Sequence, residues 1–367
     1  MIFDGHAYCF PSLRGSAGFS DPNQLRRHLQ LAISGNHQPV WRVRDGAIGD
    51  NEALIDSANS SELSGVKNSD FHAAENGRFE WTVNGETYTK QYLPPQINDM
   101  SYPPDRLVAE MDYAGVEKAL LHRTPYLGIG NDFIASCVKR FPGRLMGLAH
   151  VEEWLITADP DKSVQKVEKA ILQQGLSGLQ FLSPQLNLYG QTGTWDGDDF
   201  RPFWDRISEL KIPVFFSLKG RVDPRLESYI EELKTLRRWV NRYPDVRVVL
   251  THGLEWPHFI KKDKLVLPEE IWAPFENPNL HLQMLFPISL GTIWDYPMTQ
   301  VHPTILECVE RLGANRLMWG TDMPMIMRYW SYRQNIDFIR QYCNFLDADQ
   351  MDAILGNTSA RLMGVQS

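Results

Sequence analysis

From residue 103 onward, short apolar runs alternate with longer stretches whose apolar positions recur at helical spacing. Pro103-Pro104-Asp105 opens the first of these helices, with Leu107, Val108, Met111 and Ala114 along one face and Gly115 at its stop. The pattern then predicts strands over 118–122, 145–150, 178–182, 213–217, 246–251, 280–285 and 316–320. Helices are predicted near 132–141, 162–174, 203–210, 226–242, 268–275 and 304–312. With a further strand leading from Met1-Ile2-Phe3 to His6, the chain has eight strands, nearly all followed by a helix. Such alternation predicts an α/β fold of the TIM type, a (β/α)8 barrel whose strand C-termini converge on one mouth. An open doubly wound sheet is disfavoured, because no G-x-G-x-x-G follows the first strand.

Residues 11–95 break this rhythm. They are rich in Ser, Asn, Gly and Asp, with a short helix predicted over 25–33 and alternating runs over 79–83 and 87–92 that flank Asn84-Gly85. Asn-Gly between alternating runs is a strong hairpin signal, and a bare loop of this length would be unusual. The expectation is one barrel domain over 1–367, with a lid insertion at 11–95 that carries a hairpin at about 79–92.

Composition narrows the function classes. The chain has 367 residues, 43% hydrophobic and 22% charged, enough to bury a large core. Its net charge of −8 is spread along the sequence, which argues against nucleic acid or an anionic membrane surface as partner. There is no apolar run of spanning length and no secretion signal at the first residues. Cys9, Cys137, Cys308 and Cys343 lie far apart with no C-x-x-C pair, as expected of reduced thiols in a cytoplasmic protein. Cys9 follows the first strand, but no base partner is evident, and it reads as a buried thiol.

The residues at the strand ends carry the candidate chemistry. They are His6 and Tyr8, His122 and Arg123, His150 and Glu152, Gln180, Ser217 and Lys219, His252 and Glu255, Gln283, and Asp322. So many ionisable groups at one mouth point to a small polar ligand, and Arg123 with Lys219 point to an anionic one. Trp256, Trp294, Tyr296, Tyr329 and Trp330 follow strands six to eight, where they would line the mouth for a flat ring or form a subunit interface.

Four segments carry a resemblance to a known family: Asp4-Gly5-His6, Glu110-Met111-Asp112-Tyr113-Ala114-Gly115-Val116, Val249-Leu250-Thr251-His252-Gly253 and Trp319-Gly320-Thr321-Asp322-Met323-Pro324. With these, the chain resembles the amidohydrolase superfamily, in the group of aromatic-acid decarboxylases, aminocarboxymuconate-semialdehyde decarboxylase and pyrone-dicarboxylate lactonase. The stretch 121–132, with Tyr126, Gly128 and Asn131, resembles the strand-two loop of the lactonase branch. The resemblance implies a homodimer and, in its metal-dependent members, a divalent ion such as zinc held by two residues of strand one, a strand-five His and a strand-eight Asp. This chain departs at two of those positions, where Tyr8 and Ser217 stand. If an ion is held, His6 and Asp322 would anchor it, with His122 or His252 making up the coordination.

The retained groups still serve acid and base chemistry. Asp322 is expected to act as base and His252 as its proton partner, with Arg123 and Lys219 orienting a substrate carboxylate and Tyr8, His122, Glu255 and Trp256 around it. The leading reading is hydrolysis of a small cyclic, carboxylated compound such as a lactone. Two others stay open: metal-dependent non-oxidative decarboxylation, and a degenerate barrel that binds a ligand or partner without catalysis.

Overall fold

The computed structural model describes residues 1–218 and 225–365. Its central sheet has eight parallel strands: β1 (Phe3–Ala7), β2 (Lys118–Leu121), β3 (Leu145–His150), β4 (Gly178–Leu182), β5 (Val214–Ser217), β6 (Val248–Leu250), β7 (Leu280–Gln283) and β8 (Leu317–Met318). They pair in chain order. The two ends of the sheet also meet, since the Gly5 N–H donates to the Trp319 carbonyl at 3.1 Å and the Tyr8 N–H to the Met323 carbonyl at 2.7 Å. A TIM-type barrel results, as the alternation predicts, with helices such as Pro104–Ala114, Pro160–Leu172 and Leu226–Arg242 around it. The helix expected over 268–275 is instead a 3-10 stretch, Glu269–Glu276, with Pro274 inside it. Pro274 has no N–H to donate, and its ring obstructs a regular α-helical turn.

Closure of the seam explains much of the motif at each end of the chain. A Cβ on Gly5 would sit 2.8 Å from the Trp319 carbonyl oxygen, and one on Gly320 would sit 2.9 Å from the His6 Cβ. Only glycine lets β1 and β8 approach this closely. The buried Asp4 carboxylate then staples the seam: one oxygen accepts the His6 and Thr321 N–H groups, each at 3.0 Å. Its other oxygen accepts the Thr321 hydroxyl at 2.5 Å and the Tyr332 hydroxyl at 2.7 Å.

The barrel interior has two tiers. Phe3, Leu120, Leu148, Phe215, Val249 and Met318, from six different strands, pack into one apolar cluster. Side chains two positions apart on a strand share a face, so His122, His150, Ser217 and Thr251 stand directly above that cluster. Gln180, paired in register with His150, and Gln283 at the end of β7 complete the upper tier. All six are buried. An apolar floor thus carries a polar tier toward the mouth.

The segment between β1 and the Pro104–Ala114 helix holds a helix at Pro22–Ser34 and a five-stranded antiparallel sheet. Its strands lie in the order Ile48–Gly49, Val40–Arg42, Glu86–Gln91, Arg78–Val83, His72–Ala73. The two middle-to-outer strands Arg78–Val83 and Glu86–Gln91 form a hairpin on Asn84 and Gly85, both in left-handed backbone conformation (φ 50° and 79°). Two consecutive positive φ values match the twist of the strands they join. Among the described residues, no helix is long and apolar enough to cross a membrane.

Candidate active site

A cavity of ≈ 500 Å3 opens at the C-terminal mouth of the barrel. Tyr8, His252 and Asp322 come to it from the ends of β1, β6 and β8, and Gln180 and Ser217 from the polar tier. Tyr92 and residues 35–37, from the segment between β1 and β2, form part of its wall.

Proton positions at its base follow from one amide. The Gln283 Nε2 donates to the Gly5 carbonyl at 2.8 Å and its Oε1 accepts the His252 N–H at 3.1 Å, which fixes Oε1 as an acceptor. The His6 Nδ1, 3.0 Å from that oxygen, must therefore carry a hydrogen. Burial, reinforced by the charge of His252 and opposed by that of Asp322, pushes the His6 pKa down to about 3, so the ring is neutral. Its Nε2 lone pair then accepts from the Tyr8 hydroxyl at 2.9 Å and faces the Asp322 Oδ1 at 3.3 Å. Burial and the Asp322 charge push the Tyr8 phenol far above its ordinary pKa, which keeps it a donor. His122 stacks on His6 with ring centroids 3.7 Å apart, and its Nε2 lies 3.0 Å from the Gly5 carbonyl.

His252 and Asp322 meet above this base. His252 Nε2 and Asp322 Oδ1 are 3.2 Å apart. Burial alone would raise the Asp322 pKa, but the hydrogen bond from His252, the adjacent His6 and His252 rings and the Arg328 charge outweigh it and hold the carboxyl below its ordinary value. It is ionised at neutral pH. Both residues have left-handed backbone (φ 63° for His252, 68° for Asp322), a conformation that costs on the order of 1–3 kcal/mol per non-glycine residue. Backbone bonds hold them there: the His252 N–H to Gln283, and the Asp322 N–H to the His6 carbonyl at 2.8 Å.

The amidohydrolase family profile matches residues 67–365. The chain belongs to the amidohydrolase family. Two gamma-resorcylate decarboxylases are related to it, one from Rhizobium radiobacter (21% identical, 63% of this chain and 73% of that protein) and one from Rhizobium sp. strain MTP-10005 (22%, with the same coverage). Among solved structures, it resembles a probable 2-pyrone-4,6-dicarboxylic acid hydrolase from Acinetobacter baumannii with citric acid bound. That likeness has a TM-score of 0.54 at 17% identity, over 72% of this chain and 90% of the other. It also resembles 5-carboxyvanillate decarboxylase from Sphingomonas paucimobilis, with a TM-score of 0.53 at 20% identity over 74% and 86%. Both likenesses are to the fold.

Within this amidohydrolase the expected site residues separate into groups. His6, His252 and Asp322 converge, while Tyr8 and Glu255 line the cavity. Three expectations are corrected in position. Arg123 is fully buried away from the cavity: its Nη1 donates to the Cys9 carbonyl at 3.3 Å and its guanidinium lies over the Phe133 ring. Strand alternation explains this, because Leu120 and His122 face inward and Arg123 falls on the outer face. His122 lies beside the His6 ring instead of at the cavity surface, and Trp256 packs on Phe286 while its indole N–H donates to the His252 carbonyl at 3.1 Å. Lys219 lies outside the described residues. Of the aromatic residues after strands six to eight, Tyr329 lines the cavity, whereas Trp294 and Trp330 are buried elsewhere. The other aromatic walls are Tyr8, Tyr92 and Tyr126.

Ligand atoms of His6, His252 and Asp322 lie within 4.8 Å of one another. The Nδ1–H tautomer of His6 puts the Nε2 lone pair toward the cluster, where an ion would take the place of the Tyr8 hydroxyl hydrogen, so these three donors fit a divalent ion, with Tyr8 and Ser217 in place of two further ligands. Such an ion would supply Lewis-acid polarisation of a substrate oxygen. Arg328 and Gln283 are functional candidates beyond those named from sequence roles. Gln283 sits at a strand end and was legible as such, whereas Arg328 follows β8 by ten residues and carries no motif.

Proposed function

We propose that this amidohydrolase hydrolyses a ring bond in a small cyclic, carboxylated compound. The observation that carries the reading is the Asp322–His252 contact, an ionised carboxylate bonded to an imidazole at the edge of a tyrosine-walled cavity. Asp322 takes a proton from water, and the water oxygen bonds to the ring carbonyl carbon. The ring carbon–oxygen bond then breaks, and the proton returns across the Asp322–His252 bond to the leaving oxygen. The His6 carbonyl, which accepts the Asp322 N–H at 2.8 Å, keeps the base in place.

Carboxy-lyase chemistry is the second reading, favoured by the decarboxylases among the relatives and by the three-donor cluster at His6, His252 and Asp322. Replacing Asp322 with Asn tests the first. Turnover of 2-pyrone-4,6-dicarboxylate is expected to fall by about a hundredfold or more, with the unfolding midpoint within a few degrees of native. Native-like turnover in that variant would refute the role given to Asp322.

A further inference from the structure

We propose that Arg328 is the carboxylate-binding residue of this cavity and that the segment between β1 and β2 holds it in place through Tyr92. The inference rests on the hydrolase reading for the position of the reacting bond, though not for the binding contact itself.

Arg328 ends the short 3-10 stretch Met325–Arg328 beyond β8 and lines the cavity. Its Nε donates to the Tyr92 carbonyl at 2.8 Å, its Nη2 lies 3.2 Å from the Met325 sulfur, and its guanidinium carbon stands 4.3 Å from the centre of the Tyr92 ring. Tyr92 therefore fixes both the edge and the face of the guanidinium. The Tyr92 and Tyr329 side chains also hydrogen-bond with the guanidinium, and among the described residues no carboxylate forms an ion pair with Arg328. Asp322, the anion that shares its cavity, has its Oδ1 bonded to His252 at 3.2 Å.

A largely buried guanidinium without a counter-ion is a receptor for an oxygen anion. The planar fork presents parallel N–H groups along its Nη edge, which matches a carboxylate. The grip on Arg328 comes from a residue 236 positions earlier in the chain. Carboxylate selectivity would thus be a property that the inserted segment confers on the barrel.

Calorimetric titration with 2-pyrone-4,6-dicarboxylate, isophthalate and the neutral isophthalamide tests this without relying on turnover. The native protein is expected to prefer the two dicarboxylates over the diamide by about tenfold or more. Arg328→Met is expected to erase that preference and leave diamide binding unchanged, and Arg328→Lys to retain part of it, because charge remains but the fork is lost. Tyr92→Leu should fall between native and Arg328→Met. Equal native affinity for diacid and diamide, absence of diacid binding, or native-like diacid binding by Arg328→Met would overturn the assignment of Arg328. Native-like diacid binding by Tyr92→Leu would overturn the part given to the Tyr92 ring. Asp322→Asn separates the two proposals: it should bind the diacids at least as tightly as native, having one anion fewer, while its turnover falls by about a hundredfold or more.

Discussion

Residues in the two end motifs divide their labour, although they lie side by side in sequence. In Asp4-Gly5-His6 and Gly320-Thr321-Asp322, the inner members Asp4, Gly5, Gly320 and Thr321 close the barrel seam, and only His6 and Asp322 join the cluster with His252. Gly320→Ala is expected to destabilise the fold by about 1–3 kcal/mol, because its methyl group would press on the His6 Cβ; urea unfolding measures this. His6, His252 and Asp322 were legible in the sequence because each is an ionisable residue at a strand end. Arg123 shares that signal and misleads, since one step along a strand reverses the face. Arg328 gives no local signal at all: its place is set by the distant Tyr92.

Among the elements, the hairpin around Asn84-Gly85 was legible from two turn residues between alternating runs, and its strands pair from Arg78↔Gln91 to Val83↔Glu86. The rest of its sheet was not. Val40–Arg42, Ile48–Gly49 and His72–Ala73 are two or three residues long, too short for periodicity to register. The Glu86–Gln91 strand ties this sheet to the cavity wall through the buried Lys90, whose ammonium donates to the Ile33 carbonyl at 2.8 Å and to the Asn36 carbonyl. Burial lowers the Lys90 pKa to about 8. Lys90→Met would remove the ammonium from both carbonyls at the end of the Pro22–Ser34 helix, leaving Ile33 its bond from the Asn36 N–H at 3.2 Å. A loss of about 1–3 kcal/mol is expected in urea unfolding, together with faster amide exchange over residues 33–37.

For the whole molecule, buried titratable groups set how stability varies with pH. Burial lowers His6 and His28 to about 3 and His281 to about 4, and holds His122 and His150 well below 6.5. Between those values and 6.5 the unfolded chain binds more protons than the native one, so stability falls as pH drops through this window. Two buried carboxyls act with the opposite sign: burial raises Asp4 to about 6 and Glu153 to about 8, so stability falls as pH rises toward those values. Five histidines outweigh two carboxyls on the acid side, and Glu153 alone acts between 6.5 and 8. Thermal unfolding is therefore expected to peak near pH 6.5, and Glu153→Gln should flatten the decline above it. A midpoint that rises steadily from pH 6.5 to 8 in the native protein would contradict the burial argument for Glu153.

The fate of the water oxygen reports most directly on the chemistry. Native protein is incubated with 2-pyrone-4,6-dicarboxylate and, separately, 2,6-dihydroxybenzoate in water labelled with heavy oxygen, and the organic products are weighed by mass spectrometry. Hydrolysis by Asp322 and His252 predicts a ring-opened acid from the pyrone that carries one labelled oxygen and that Asp322→Asn fails to form. Release of carbon dioxide with an unlabelled organic product, from either compound and with the pyrone ring intact, would contradict it.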